Sequence, residues 1–256
     1  MSEVEFRRCT ADDYPQTEEL WCRVFGDIPA VPKYFLDGLD GLGAGFVAVS
    51  GGLVIGCAFA VTDFTLEGER IGYIYAVAVD EKYRGRGIGA KLTRTAAEYV
   101  KSIGAILAIQ PAEDSLFRWY EDIIGTKCAV YRRRIWVKAE NTCAVSRIGE
   151  TEYYEMRSRL APKPQVILGN SARSYQTALL EAYGGGYYAF PGGVAAMGDG
   201  TVHEIIGGGE RECAAIAYAA GLENVTAFFP ADSGEMYIAA LPGTIRTKIF
   251  WNLSLN

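Results

Sequence analysis

Arg84-Gly85-Arg86-Gly87-Ile88-Gly89-Ala90 is the segment whose residue types and spacing carry the clearest chemistry. It follows Asp80-Glu81-Lys82-Tyr83 and joins an almost wholly apolar run, Ile71–Val79, to an amphipathic one that starts at Ile88. The first turn of a helix holds backbone N–H groups with no intrahelical acceptor, and the helix dipole is positive there. Glycines let the backbone approach a ligand with no Cβ in the way. Arg84 and Arg86 add positive charge. Together these features make a receptor for phosphate groups.

Other reactive side chains are few. His203 is the one histidine, and it sits in Thr-Val-His-Glu-Ile-Ile, which alternates like a strand. A polar strand position is the expectation there, rather than the base of a Ser-His-Asp or Cys-His pair. The six cysteines are Cys9, Cys22, Cys57, Cys128, Cys143 and Cys213, and none forms a C-x-x-C pair. Several lie within apolar runs. They read as reduced, buried thiols of a cytoplasmic protein. No metal site is expected.

Half of the 256 residues are hydrophobic and 30 are glycine, a composition of packed domains with many turns. The net charge is −6, which argues against nucleic acid as a partner. The basic run Arg132-Arg133-Arg134 reads as an edge strand with solvated charges. No apolar run is long enough to cross a bilayer, and the start, MSEVEFRRCTADDY, has no apolar core of a signal peptide. No membrane association is expected.

The elements that must position the loop can be traced from the pattern. Val4–Arg8 reads as a strand, and Thr10 caps a helix to about Phe25, with another short helix around Lys33–Leu39. Three strands follow, roughly Gly45–Ser50, Leu53–Phe64 and Arg70–Val79, joined by turns at Gly51-Gly52 and Glu67-Gly68. After the loop come a helix of about Ile88–Ser102, a buried strand at Ala105–Gln110, a helix of about Ser115–Ile124 and a strand or hairpin at Lys127–Lys138. The polar stretch Ala139–Ser146 marks a domain boundary. Beyond it lie helices near Glu150–Leu160 and Ala172–Tyr183, then short strands at Tyr187–Phe190, Val194–Met197 and Val202–Ile206.

Two loop motifs compete. The dinucleotide fingerprint G-x-G-x-x-[GA] is met by Gly85, Gly87 and Ala90, yet about four strands precede it, and Ile109 and Gln110 stand near its expected acidic position. The motif [QR]-x-x-G-x-[GA] is met by Arg84, Gly87 and Gly89, on a predicted fourth strand and with the downstream pattern in place. VAVDEKYRGRGIGAKL therefore resembles the GCN5-related N-acetyltransferase (GNAT) superfamily, over roughly residues 3–138.

The resemblance implies an α+β fold layered α/β/α, with a central mixed, mostly antiparallel sheet. It implies acetyl-CoA as co-substrate and a small-molecule or peptide amine as acceptor, acetylated by direct transfer in a ternary complex. Val77 and Val79 would pair with the pantetheine arm, and the amides of Arg84, Gly85, Arg86, Gly87, Ile88, Gly89 and Ala90 would hold the diphosphate. The family segment F-Y-E-K-x-G-F is similar to Trp119-Tyr120-Glu121-Asp122-Ile123-Ile124-Gly125, with one extra residue before the glycine. Tyr120 is thereby implied as the catalytic acid for the departing thiolate. The base stays open among Asp63, Glu67 and Glu69, with Tyr73 and Tyr75 where many relatives carry Glu.

Residues 1–140 are expected to form this acetyltransferase domain, and residues 141–256 a smaller, degenerate GNAT-like α+β copy. The halves share a strand, a glycine-rich loop, a helix, a strand and a Pro-Ala-acid ending: Pro111-Ala112-Glu113 in one, Pro230-Ala231-Asp232 in the other. The second loop, Gly207-Gly208-Gly209-Glu210, lacks the preceding Arg and puts a carboxylate where it caps the free amides itself. No second coenzyme site is expected. The ending Lys248–Asn256 reads as a final strand on this second sheet. A non-catalytic acyl-CoA binder is the alternative function, kept open by the unassigned base.

Overall fold

The computed structural model describes residues 3–245 and 249–251. The chain divides into two compact units. One holds Met1–Ala129, Ile167–Ala172 and Ile238–Arg246, and the other Val130–Val166, Arg173–Tyr237 and Thr247–Asn256.

The first unit begins with β1 (Val4–Arg8) and a 3-10 turn at Ala11–Asp13, then α1 (Tyr14–Phe25), α2 (Ala30–Asp37) and α3 (Leu39–Leu42). Asp13 anchors this start. Its carboxylate takes a two-pronged contact from Arg7, at 2.6 and 2.7 Å, and accepts the backbone N–H of Thr10 at 2.8 Å. Strands β2 (Gly43–Ser50), β3 (Leu53–Leu66) and β4 (Glu69–Val79) follow as an antiparallel meander. Glu67 and Gly68 take positive φ in the tight turn between β3 and β4. Helix α4 (Ile88–Ser102) then crosses over to β5 (Ile106–Ile109), which lies parallel to β4, and α5 (Asp114–Ile124) follows. The fourth strand is central, as its apolar run requires.

Each face of this sheet is covered by helix. Leu92, Ala96 and Val100 of α4 are buried on one side. On the other, Trp21 of α1 and Phe35 of α2 pack on Phe59 and Tyr75. The layering is α/β/α.

The second unit takes in most of β6 (Lys127–Lys138), then β7 (Ser146–Ile148) and α6 (Glu150–Leu160). β8 (Val166–Leu168) and the start of α7 (Asn170–Ala182) fall mostly in the Ile167–Ala172 segment of the first unit, and β9 (Gly186–Phe190), β10 (Gly193–Gly198) and β11 (Thr201–Ile206) follow in the second. Helix α8 (Glu210–Ala219) connects β11 to β12 (Asn224–Ala231), and β13 (Glu235–Ala240) begins in this unit and ends in the first. Strands β9, β10 and β11 pair antiparallel, and β11 lies parallel to β12. An antiparallel meander followed by a parallel β-α-β crossover thus occurs in both units. Between β12 and β13 there is no helix corresponding to α5.

In each unit one strand is flanked by a strand from the other half of the chain. In the first unit β5 is flanked by β13, with Ala239 opposite Ile109 and Ala240 opposite Ala108. In the second, β12 is flanked by β6, with Ala231 through Asn224 opposite Tyr131 through Lys138.

Several sequence expectations need correction. Arg132 is not a solvated charge: Glu235 accepts from it at 2.6 and 2.8 Å, and its guanidinium lies 3.7 Å over Phe228 and 4.5 Å over Tyr237. Only Cys57 and Cys213 are buried, while Cys9, Cys22, Cys128 and Cys143 are half-exposed. Strands β7, β8 and β13 were not foreseen. Of the expected final strand Lys248–Asn256, only residues 249–251 lie within the described residues, and there Phe250 forms an isolated parallel bridge with Gln165.

Candidate functional site

Strand β4 departs from regular pairing where the site begins. Its parallel ladder with β5 ends at Ile74 opposite Ile109. Immediately beyond, Tyr75 pairs with Phe59 and Ala78 with Cys57, so two residues of β4 face one of β3. The extra residue is accommodated by Ala76 at φ 46°, a left-handed conformation unusual for a side chain with a Cβ. The Cys57 thiol donates to the carbonyl of Ala76 at 3.7 Å. Val77 and Val79 follow, both half-buried.

The loop after β4 is open to a ligand. Arg84, Gly85, Arg86 and Gly87 are exposed, while Ile88 is buried and anchors the helix. Gly85 and Gly87 take φ of 73° and 76°, and a Cβ on either would find nothing within 4 Å. Their absence of side chain thus serves backbone conformation and leaves an empty cradle over the first turn of α4. No side chain caps that turn, since its N-cap residue is Gly87. The amides of Ile88, Gly89 and Ala90 are therefore available.

The flanking contacts tie the loop to β4. Arg84 Nε donates to the Val79 carbonyl at 3.2 Å. A Cβ on Gly89 would lie 3.4 Å from Val79 Cγ2 and 3.8 Å from Trp119 Cη2. Arg86 donates to the Lys82 carbonyl at 3.0 Å, and Arg23 pairs with Asp80 at 2.8 Å. Arg23, Val24, Asp80, Glu81, Lys82 and Arg84 line a groove of ≈ 270 Å³ at the entry of the loop.

Tyr120 lies on α5, and its ring meets the Trp119 indole edge-on at 4.8 Å. It is buried, and burial pushes its hydroxyl up to about 12. The structure thus brings Val79, Arg84, Gly89 and Trp119 together, with Tyr120 one residue further along the same helix. Trp119 had no assigned role in the sequence, although it adjoins the motif tyrosine. The bulge at Ala76 left no signal, because alanine is ordinary in a strand.

The expected bases fare differently. Asp63 accepts the Ala172 N–H at 3.0 Å and so caps the start of α7, while its backbone carbonyl accepts from Gly169 at 2.7 Å. Glu67 and Glu69 are exposed in the hairpin at the opposite end of β4 from Val79. His203 lies in β11 of the second unit, and burial pulls its pKa down to about 4.

The loop of the second unit is filled rather than open. A Cβ on Gly208 would sit 2.8 Å from the Phe190 ring, and one on Gly207 would sit 2.2 Å from the Gly192 carbonyl oxygen. Glu212 Oε2 accepts the Gly209 N–H at 2.8 Å, supplying internally the negative charge that a helix start attracts.

Residues 9–145 match the family model described as the Acetyltransferase (GNAT) family. No curated protein matches the chain. Among solved structures, the chain is similar to a GCN5-related N-acetyltransferase from Kribbella flavida, at 20% identity and a TM-score of 0.64, covering 93% of this chain and 71% of that one. It is also similar to a conserved protein of unknown function from Enterococcus faecalis V583, at 13% identity and a TM-score of 0.71, covering 94% and 72%. A third similarity, to a GCN5-related N-acetyltransferase from Anabaena variabilis, has 12% identity and a TM-score of 0.64, covering 93% and 70%. At these identities the solved structures bear on the fold, and the family match spans more than half of the chain, so the protein belongs to the GNAT acetyltransferase family.

Proposed function

We propose that the protein is an acetyl-CoA-dependent N-acetyltransferase that acts on an amine by direct transfer in a ternary complex. The observation that carries this reading is the empty, positively flanked cradle at Gly85–Gly87 over the uncapped first turn of α4. It has the size, sign and backbone donors for a diphosphate. The stretch of β4 beyond its ladder with β5 suits an extended arm on that edge, with Val77 and Val79 as the pairing residues.

Acyl transfer to an amine needs placement of the two reactants, a donor for the carbonyl and a proton for the sulfur. The kinked backbone near Ala76 lies at the right level of β4 to supply an N–H to the thioester carbonyl. Tyr120, kept protonated by burial, serves as proton donor to the departing sulfur. Arg84, Gly85, Arg86, Gly87, Ile88, Gly89 and Ala90 hold the phosphates.

We assign this chemistry to residues 1–140 and read residues 141–256 as a degenerate copy of the same fold. The parallel β-α-β crossover common to both units supports the duplication. Phe190 and Glu212 filling the second loop support one ligand site per chain.

Calorimetric titration with acetyl-CoA tests the assignment, with NAD+ and NADH as controls. The expected result is saturable binding of acetyl-CoA at one site per chain, and none of the dinucleotides. Absence of acetyl-CoA binding would overturn the functional reading while leaving the family membership intact.

A further inference from the structure

Residues 80–87 carry the chain from β4 to α4, and one carboxylate organises their first half. The Asp80 N–H donates to the Ile55 carbonyl of β3 at 2.9 Å, which holds the chain on the sheet as it leaves β4. Asp80 Oδ1 then accepts the Lys82 N–H at 3.0 Å and so caps a 3-10 turn at Glu81–Tyr83. The Asp80 carbonyl accepts the Tyr83 N–H at 2.9 Å, and the Glu81 carbonyl accepts the Arg84 N–H at 3.3 Å. Both loop arginines lean on this turn or its base. Arg86 donates to the Lys82 carbonyl at 3.0 Å, and Arg84 to the Val79 carbonyl at 3.2 Å. The turn that Asp80 shapes therefore sets where the cradle at Gly85–Gly87 begins.

That shaping works against the ligand's charge. Asp80 puts a carboxylate beside the loop that is proposed to take a diphosphate, and like charges repel. Arg23 of α1 offsets it. Arg23 Nη2 donates at 2.8 Å to Asp80 Oδ2, the oxygen other than the one that takes the Lys82 N–H. Arg23 and Asp80 both line the groove at the loop entry, together with Lys82 and Arg84. Helix α1 gives Arg23 a fixed base. Two residues earlier, Trp21 is buried against Phe35, Phe59 and Tyr75, and its N–H donates to Asp27 at 2.7 Å. Arg23 also stands in the last turn of α1, where the helix dipole favours a cation.

Resting on the acetyl-transfer reading, we propose that Arg23 and Asp80 act together as positioning residues for acetyl-CoA. Asp80 shapes the phosphate loop, and Arg23 cancels the charge that this places beside the diphosphate. Substitution separates the two roles. Asparagine caps a helical turn about as well as aspartate and carries no charge. In Asp80→Asn the cap remains, and Arg23 has no carboxylate to cancel. In Asp80→Ala the cap is lost with the charge. In Arg23→Ala the cap remains, and the carboxylate stands uncompensated at the entry of the loop. A pair that merely joined α1 to the loop would behave differently, because breaking it from either side would do the same harm.

The experiment is calorimetric titration of the full-length protein and its variants with acetyl-CoA, at about 0.05 M and about 0.5 M salt, beside thermal unfolding of each. At low salt Arg23→Ala should weaken binding by about fivefold, and at high salt by less than about twofold, because salt screens the uncompensated charge. Adding Asp80→Asn to Arg23→Ala should bring affinity back to within about twofold of the native protein. Asp80→Ala should weaken binding by about tenfold at both salts, since the loss is one of loop shape. A loss in Arg23→Ala that Asp80→Asn leaves standing or deepens would overturn the proposal, as would native affinity in Arg23→Ala at low salt. Should Asp80→Ala fail to fold, Arg23→Ala and its rescue decide alone. Absence of acetyl-CoA binding by the native protein would instead remove the reading on which the proposal rests.

Discussion

Arg84 turns back across the loop and donates from Nε to the carbonyl of Val79, 3.2 Å away. The residue that opens the proposed phosphate loop is thus fastened to the last residue of the strand before it. Replacing Arg84 with Ala should weaken acetyl-CoA binding by about tenfold, near 1.4 kcal/mol, through loss of a charged hydrogen bond and of local positive charge. Arg84→Lys should recover less than half of that energy, because a lysine ammonium lacks the inward Nε–H. Calorimetry with each variant checks both expectations.

Gly87 offers a sharper test of the cradle. Its φ of 76° and the open space beside it mean that bulk there is strained but not blocked by protein. Gly87→Ala should cost about 1 kcal/mol in thermal stability and retain weak binding. Gly87→Glu should abolish binding, since its carboxylate would occupy the place and sign of the diphosphate. A Gly87→Glu variant that binds normally would show the loop to be misassigned.

Tyr120 should behave as an acid that is never titrated in the working range. Burial raises its hydroxyl to about 12, so the protonated form persists across neutral and mildly alkaline pH. Tyr120→Phe should lower kcat by about 10²-fold with acetyl-CoA affinity unchanged. In the native protein no fall in kcat attributable to this group should occur below about pH 10. Steady-state kinetics over pH 6–10 on both proteins decides the matter.

The strands and helices of the first unit were readable because each carries one strong period: near-continuous apolar runs for β4 and β5, helical spacing for α4. The loop was readable because glycine at positive φ has few substitutes. What escaped the sequence depends on tertiary context. Ala76 adopts a glycine-like φ only because the pairing on either side over-determines it. Arg132 looks like a surface charge until Glu235, a hundred residues on, closes over it. Asp63 looks like a free carboxylate at a strand end, and its partner is the start of a helix far along the chain. β13 is a short strand, apolar after Glu235, whose place beside β5 no local pattern encodes.

Ala76 itself is testable. Glycine tolerates a φ of 46° with less strain, so Ala76→Gly should leave stability unchanged or raise it by up to about 1 kcal/mol. A β-branched replacement cannot follow, and Ala76→Val should cost about 2 kcal/mol and depress kcat by moving the β4 backbone. Thermal unfolding with parallel rate measurements separates the two effects.

Acid should loosen the N-terminal edge first. The Arg7 guanidinium, aided by the Thr10 N–H and hydroxyl, lowers the Asp13 carboxyl to about 2 against a burial effect that opposes it. A depressed folded pKa contributes stability that is complete above the unfolded value near 4 and is lost as pH falls toward 2. The amount is on the order of 1–2 kcal/mol. Asp13→Asn should remove this part of the acid dependence, as seen by denaturant unfolding at pH 2.5, 4 and 7.

The exchange of strands between the halves sets an order on synthesis. The phosphate loop and Tyr120 leave the ribosome in the first half of the chain, yet β5 obtains its neighbour only when Ala239 and Ala240 have been made. Until then a short, wholly apolar strand waits with an open edge, a template for pairing with the wrong chain. The second half, proposed above as a copy without a ligand loop, thereby supplies a finishing strand to the half proposed to carry the chemistry. Deleting the second half would remove that neighbour and leave β5 with an open edge.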